Sequence, residues 1–379
     1  MHLEPYRRPT SQVTAVDISQ RSRLDDRKAR IRTPCTNSHT TQRHPFSGKG
    51  KRFDPNSNVF QFNPFHRVQP QIKRPKSKRP ASGQDAFFIA RMGDTNDVAF
   101  GVADGVGGWE ESGVDPADFS HSFCDYMALA AYESKTDDPR PLTAKALMQK
   151  GYDDVCHDKS IPAGGSTACV AILSEDGVMD VANLGDSGFV HLRLNGVHHS
   201  SEAQTHAFNT PYQLSIIPPS MLARAAAFGG AQLCDYPKDA DVTAHELRHG
   251  DVLVFASDGL WDNLFDQDVL RIASRVMTGS GAWKATDGGI RVVDDLGPYV
   301  QAPEDSAQKA ATLQSAIAID ITATAKRASM DQRLDGPFAK EVQKYYPGED
   351  WHGGKIDDIC VIVVIVSEDG KSQAIKAKL

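Results

Sequence analysis

Four aspartates in this sequence share one kind of setting. Asp85 opens an apolar run, Asp104 and Asp258 each close one directly before a glycine, and Asp357 stands just before the most apolar run of the chain. A carboxylate at a strand end is held by the sheet while it projects from the edge. Several such groups converging on one edge repel one another unless cations neutralise them. Hard divalent cations take oxygen ligands of this kind. The glycine after Asp104 adds a further donor, because a backbone without Cβ lets the Gly105 carbonyl approach a metal closely. A single Asp-Gly is usually a turn, and Asp176-Gly177 reads as a hairpin and nothing more.

These aspartates need elements to position them. Strands are expected over residues 87–91 and 98–103, ending at Asp104-Gly105. Asp115-Pro116 is a helix start, with an N-cap aspartate and proline at the first helical position, and the helix should run to about Glu133. A second helix is expected over 143–157. Residues 167–173, 178–183 and 188–194 read as strands of a meander, separated by the turn pairs Asp176-Gly177 and Asn195-Gly196. Residues 252–257 form an apolar strand that closes on Asp258-Gly259. A helix over 266–277 follows, then a surface insertion at about 279–304, a long Ala-rich helix over 306–330, and a last strand over 358–366. No repeat is visible at any solenoid period.

The chain has 379 residues, 40% of them hydrophobic and 24% charged, which is ordinary for a globular protein with a sizeable core. Its net charge of −7 is unevenly placed. Residues 1–82 hold 18 Lys and Arg against 5 Asp and Glu, a net of +13, and leave −20 on the remainder. This basic segment lacks sustained periodicity and reads as a disordered arm or a mitochondrial presequence, although Glu4, Asp17, Asp25 and Asp26 run against the acid-poor pattern of such presequences. The stretch KRPKSKRP at 73–80 is a basic linker, with a nuclear signal as the competing reading. Residues 83–367 are expected to form the folded domain, and 368–379 a tail. The six cysteines show no CxxC spacing, so a zinc ribbon is not expected. Cys169 and Cys360 lie inside strands and read as buried, inert thiols. No apolar run reaches 18 residues, and CVIVVIV at 360–366 fits a buried strand.

Six motifs follow one another in order: GQDAF at 83–87, VADGVGGW at 102–109, GGSTA at 164–168, ANLGDS at 182–187, ASDGLWD at 256–262 and KIDDICV at 355–361. Together they resemble the protein phosphatase 2C family. THAFNTPYQL at 205–214 and VDP at 114–116 resemble a narrower branch, the mitochondrial "homologue seven" type of fungi and animals. The resemblance implies an α+β fold, a central β-sandwich of two antiparallel sheets flanked by α-helices in four layers (αββα). It implies a protein-serine/threonine phosphatase with two Mg²⁺ or Mn²⁺ ions and a third, weaker one. By motif match Asp104 bridges the two metals, the Gly105 carbonyl binds one of them, and Asp258 and Asp357 hold the other. Asp85 orients the attacking water, and Asp186 serves the third ion near Asp258. Water activated at this site hydrolyses phosphoserine or phosphothreonine, so no phosphoenzyme is needed, and no cysteine here is followed by Arg six positions later. The implied partners are phosphoprotein substrates, with no nucleic acid and no transmembrane segment, and the chain is expected to be a monomer. The branch implies the mitochondrion, in the matrix, with cytoplasm or nucleus as the alternative.

Two departures from the family pattern stand out. Val106 occupies the position where many members carry a histidine that protonates the leaving group, and His206 is the candidate replacement. The phosphate-binding arginine has Arg79 as its nearest candidate. Trp109 and Trp261, which follow the two Asp-Gly motifs, read as core packing under the site. The competing function is a catalytically weak scaffold of the same fold that binds phosphoproteins. A haloacid-dehalogenase-type enzyme would need a DxD nucleophile after a strand, and Asp239-Ala240-Asp241 follows no strand-like run. Nucleic-acid binding is disfavoured by the absence of aromatics in 71–80 and by the acidic body.

Overall fold

A computed structural model describes residues 9–18, 59–62, 69–72, 76, 83–135, 141–227, 234–301 and 312–368. Along the chain come β1 (Pro9–Ile18), β2 (Val59–Phe62), β3 (Asp85–Arg91) and β4 (Val98–Asp104), then α1 (Pro116–Tyr132) and α2 (Ala144–His157). The meander follows as β5 (Gly164–Ser166), β6 (Ala168–Leu173), β7 (Val178–Leu184), β8 (Gly188–Arg193) and β9 (Gly196–Ser200). Short pieces come next: β10 (Thr205–Ala207), β11 (Thr210–Pro211), β12 (Leu214–Ile216) and α3 (Pro219–Ala227). The chain continues through β13 (Asp241–Glu246), β14 (Val252–Ala256), α4 (Asp258–Trp261), α5 (Asp266–Gly279), β15 (Trp283–Thr286), β16 (Gly289–Val292) and α6 (Gly297–Val300). It closes with α7 (Leu313–Met330), α8 (Pro337–Tyr345) and β17 (Ile359–Glu368).

Two antiparallel sheets stack face to face. One runs β2-β1-β17-β14-β8-β9 and the other β13-β7-β6-β4-β3. Strand β17 shows why its sequence is apolar without interruption. Alternate residues point to opposite faces of a sheet. Cys360, Ile362, Val364 and Val366 fill the layer between the sheets, while Ile359, Val361, Val363 and Ile365 pack under α5 and α7. The middle layer closes on aromatic rings: Phe255 meets Phe100 edge-on at 5.0 Å and stacks on Phe189 at 4.9 Å. Emptying that position, Phe255→Ala, would cost about 3–5 kcal/mol. The outer face of the second sheet is covered by α1 and α2 through Phe119, Phe123, Met127, Leu147 and Met148. The layers are therefore helix, sheet, sheet, helix: an α+β sandwich.

Local signals landed where expected. Asp115 caps α1, its carboxylate accepting from Ala117 N–H at 3.2 Å, and Thr143 caps α2 in the same way. Asp176-Gly177 forms the β6–β7 turn, with Gly177 at φ 78°.

Three expectations change. The segment 1–82 is expected to lack regular structure, yet residues 9–18 and 59–62 form β1 and β2. Strand β1 pairs with β17 over ten residues, from Pro9 opposite Glu368 to Ile18 opposite Ile359. The strand owes its existence to that partner, which no local pattern in a basic segment announces. The insertion at 279–304 is not all surface. The β15–β16 hairpin and α6 bury Trp283, Leu296 and Val300 against the β17 sheet, and Trp283 Nε1 donates to the Gly250 carbonyl at 3.2 Å. The Ala-rich helix begins at Leu313, where Thr312 caps it, and residues 306–311 lie outside the described residues. Among the described residues no helix is long and apolar enough to cross a membrane.

Candidate metal centre

Strand register brings the first two aspartates together. Asp85 and Asp104 are cross-strand partners at the end of β3 and β4. Asp85 is buried, and its Oδ2 accepts from Ser257 Oγ at 2.7 Å. Ser257 in turn takes the Cys360 N–H at 3.1 Å, so this carboxylate ties one sheet to the other across the end of the sandwich.

The backbone of Asp104 is clamped by the residues of the GGSTA motif. Thr167 Oγ1 receives its N–H at 3.2 Å, and its carbonyl accepts from Ser166 Oγ at 2.8 Å and from Thr167 N–H at 2.9 Å. Ser187, from the LGDS motif, holds Thr167 Oγ1 at 2.7 Å. The glycines after the two aspartates sit where chain passes close by. A Cβ on Gly105 would lie 2.8 Å from the Pro116 carbonyl oxygen, and one on Gly259 would overlap the Asp358 carbonyl.

Asp258 opens α4, straight after β14, and Asp357 precedes β17, the strand beside it. Asp186 lies in the β7–β8 connection, where the chain crosses from one sheet to the other. The five carboxylates meet at this end of the sandwich. Burial, then the charges of Asp85, Asp258, Asp357 and Asp186, raises the Asp104 carboxyl well above the ordinary range. Burial and the charge of Asp258 push Asp186 up to about 7 and Asp357 up to about 6. Burial acts on Asp258 in the same direction, but the Lys355 ammonium outweighs it and holds this carboxyl low.

Lys355 and Asp262 join this group, and no local sequence signal singles them out. Lys355 Nζ stands 2.6 Å from Asp258 Oδ2, 2.6 Å from Asp262 Oδ2 and 3.3 Å from Asp357 Oδ2. Both residues lay inside quoted motifs, ASDGLWD and KIDDICV, but a lysine next to an acidic pair reads as a solvated surface charge until the fold closes over it. Among the described residues, no three Asp, Glu, His or Cys side chains already close on one point as a metal cage. Two observations nonetheless fit a metal. Asp258 Oδ1 and Asp186 Oδ1 are buried without a hydrogen-bond partner, which is costly unless a cation or water meets them. The donors are all hard oxygens, the set that Mg²⁺ and Mn²⁺ prefer. Beside Asp186 opens a cavity of about 390 Å³, lined by Ser187, Phe189, Ser201, Trp261 and Phe265 among others.

His206 is paired with a further carboxylate. Its Nε2 pairs with Asp235 at 2.9 Å and its ring stacks on Tyr212 at 4.3 Å, which closes the β10–β11 hairpin. Arg79 lies outside the described residues. Val106 donates its N–H to the Gly165 carbonyl at 3.0 Å and brings no titratable group. Trp109 is buried and donates to Gln213 at 3.1 Å, and Trp261 donates to the Ala256 carbonyl at 3.0 Å, both consistent with packing. Cys169 and Cys360 are buried, and burial pushes the Cys169 thiol further up.

A sandwich of this layering, with carboxylates from both sheets gathered at one end, is the architecture that the relatives of this chain share by name as phosphatases. The chain belongs to the protein phosphatase 2C family, and its class is that of the protein-serine/threonine phosphatases. It is 33% identical over 295 residues to protein phosphatase 2C homolog 7, mitochondrial, of Saccharomyces cerevisiae, covering 76% of each chain. It is 34% identical over 287 residues to the protein phosphatase PTC7 homolog of Xenopus laevis, covering 76% of this chain and 82% of that one. Among solved structures, the photosystem II phosphatase PBCP aligns with a TM-score of 0.54 at 26% identity, over 75% of this chain and 92% of that one. No family model matches the chain.

Proposed function

We propose that this protein is a metal-dependent phosphatase that hydrolyses phosphoserine and phosphothreonine in proteins. Mg²⁺ or Mn²⁺ would be held by Asp104, the Gly105 carbonyl, Asp258 and Asp357. The observation that carries this reading is the buried, unpartnered Asp258 Oδ1 beside the Asp104 and Asp357 carboxyls, which burial and then their acidic neighbours raise. Bound there, divalent cations would make water nucleophilic near neutral pH and offset charge on the phosphoryl oxygens.

The chain's own residues supply position and proton handling. The clamp of Ser166, Thr167 and Ser187 fixes the Asp104 backbone, so its carboxylate direction is set before substrate arrives. Asp85, anchored by Ser257, keeps a carboxylate at the site as acceptor for a proton of the attacking water. Position 106 carries valine, so no side chain there protonates the departing serine or threonine oxygen. The cleft by Asp186 has room for a side chain flanking the phosphorylated residue.

The test is turnover of a phosphothreonine peptide with and without Mn²⁺, beside Asp258→Asn. Activity should vanish with EDTA, return with Mn²⁺, and be absent from the variant. Full turnover by metal-stripped protein would refute the reading. Mn²⁺ binding without any turnover would favour the scaffold instead.

For location we infer the mitochondrion, in the matrix. The basic segment 1–82 and the mitochondrial designation of the yeast relative support it. Residues 1–80 fused to a fluorescent reporter should give a mitochondrial signal, whereas a cytosolic or nuclear one would overturn the inference. Because β1 pairs with β17, import processing that removed residues 1–18 would uncover that edge.

A further inference from the structure

Lys355 holds a position that a metal ligand set would otherwise leave to a cation. Its ammonium is bonded to Asp258 Oδ2 and Asp262 Oδ2 at 2.6 Å each, with Asp357 Oδ2 at 3.3 Å. Asp186 feels its charge as well. The side chain is locked at both ends. Lys355 N–H donates to Asn263 Oδ1 at 3.0 Å, and Asn263 Nδ2 returns a bond to the Lys355 carbonyl at 2.8 Å and another to the Gly259 carbonyl at 2.9 Å. Asn263 is itself buried. At the ammonium end, the Phe338 ring of α8 lies 5.3 Å away, and Phe338 packs on Phe208 of the β10–β11 hairpin at 5.5 Å. The lysine is thus placed by α4, by α8 and, through Phe338, by the 205–214 segment.

We propose that, within the metal-phosphatase reading above, the Lys355 ammonium is a built-in cation that fills the position between Asp258 and Asp262, so that this protein takes no third divalent ion there. A Mg²⁺ ion shared by those two carboxylates needs their oxygens at roughly 2.0–2.1 Å. The ammonium already stands between the same two oxygens, and two cations do not share that space. Displacing it would pull a charged, largely buried side chain away from three carboxylates. Asp258 is left with one oxygen for metal, Oδ1, because Oδ2 is committed to the lysine. The third, weaker ion implied by the family resemblance is replaced here by a fixed charge, and Lys355 acts as a positioning residue for Asp258 and Asp357.

Equilibrium dialysis of the full chain against Mn²⁺, with bound metal counted by mass spectrometry, tests this directly. Wild type should saturate at two ions. Lys355→Met should gain a weak third ion, which the added change Asp262→Asn should remove, while Lys355→Arg should stay at two. Three ions on wild type, or an unchanged count in Lys355→Met, would overturn the proposal. Thermal unfolding checks that each variant folds, and the wild-type count alone remains decisive where one does not. Three ions on wild type would leave the phosphatase reading standing, whereas no bound Mn²⁺ at all would overturn both.

Discussion

Acidification should release metal from this site, and the structure sets the scale. Asp357, a proposed ligand, is pushed up to about 6 by burial and by the charge of Asp258. A carboxyl titrating there is about 97% ionised at pH 7.5 and about 25% at pH 5.5, a roughly fourfold loss of ligand-competent protein. Asp104 is also raised well above the ordinary range, by burial and by its acidic neighbours. If its proton must leave as well, each pH unit below its pKa costs about a further tenfold. Apparent Mn²⁺ affinity should therefore fall by at least about fourfold from pH 7.5 to 5.5. The sign for stability is the reverse of the usual carboxylate case. With Asp357 at about 6 and Asp186 at about 7, the metal-free native state holds more protons than the unfolded chain between about pH 4 and 7. Its stability should drop as pH rises through that window, and Mn²⁺ should restore more of it at pH 7.5 than at pH 5.5. Isothermal titration calorimetry in two buffers of different ionisation enthalpy measures both affinity and released protons. Equal affinity at the two pH values, with no proton release, would refute the reasoning.

Asp104→Ala should lower kcat roughly 10³-fold or more, because the proposed ligand serves both ions, while Asp186→Ala, at a residue assigned to neither of those two ions, should have a much smaller effect. Equal and small effects at saturating Mn²⁺ would contradict the assignment. Asp251 is buried and holds His191 Nε2 at 2.8 Å and Arg193 at 2.7 and 2.8 Å, so Asp251→Ala should cost about 3–5 kcal/mol in urea unfolding, and under about 1 kcal/mol would show that the network is not needed. A chain starting near residue 80 keeps every proposed ligand but loses β1 and β2, and with them cover for ten residues of the β17 edge. It should melt lower and scatter light on standing. A melting curve matching that of the full chain would argue that β1 contributes nothing.

Much of the site was legible before the fold. Asp85, Asp104, Asp258 and Asp357 announce themselves because strand ends and glycine turns are local signals, and because their motifs occur in a fixed order. The unbroken apolar run of β17 already required a strand buried on both faces. Asp115-Pro116, Asp176-Gly177 and Asn195-Gly196 carry their own chemistry of caps and turns, so they placed α1 and two hairpins without any partner. The pairing of His206 with Asp235, 29 residues on, is a contact that nothing local reveals.

What the sequence by itself determined are the properties that depend on near neighbours: strand and helix segments, the turns between them, and which acids sit at strand ends. Tertiary structure alone decided the rest. The clamp on Asp104 comes from residues more than 60 positions away, the cover on β17 from a strand near the opposite terminus, and the burial of Trp283 from a loop that looks polar in sequence. Lys355 is the clearest case. It meets Asp258 across 97 positions. In sequence it is one more charge beside an acidic pair. Only when β14 and β17 lie side by side do three carboxylates converge on its ammonium, because electrostatic energy depends on distance in space and on exclusion of water, and neither is written in chain order.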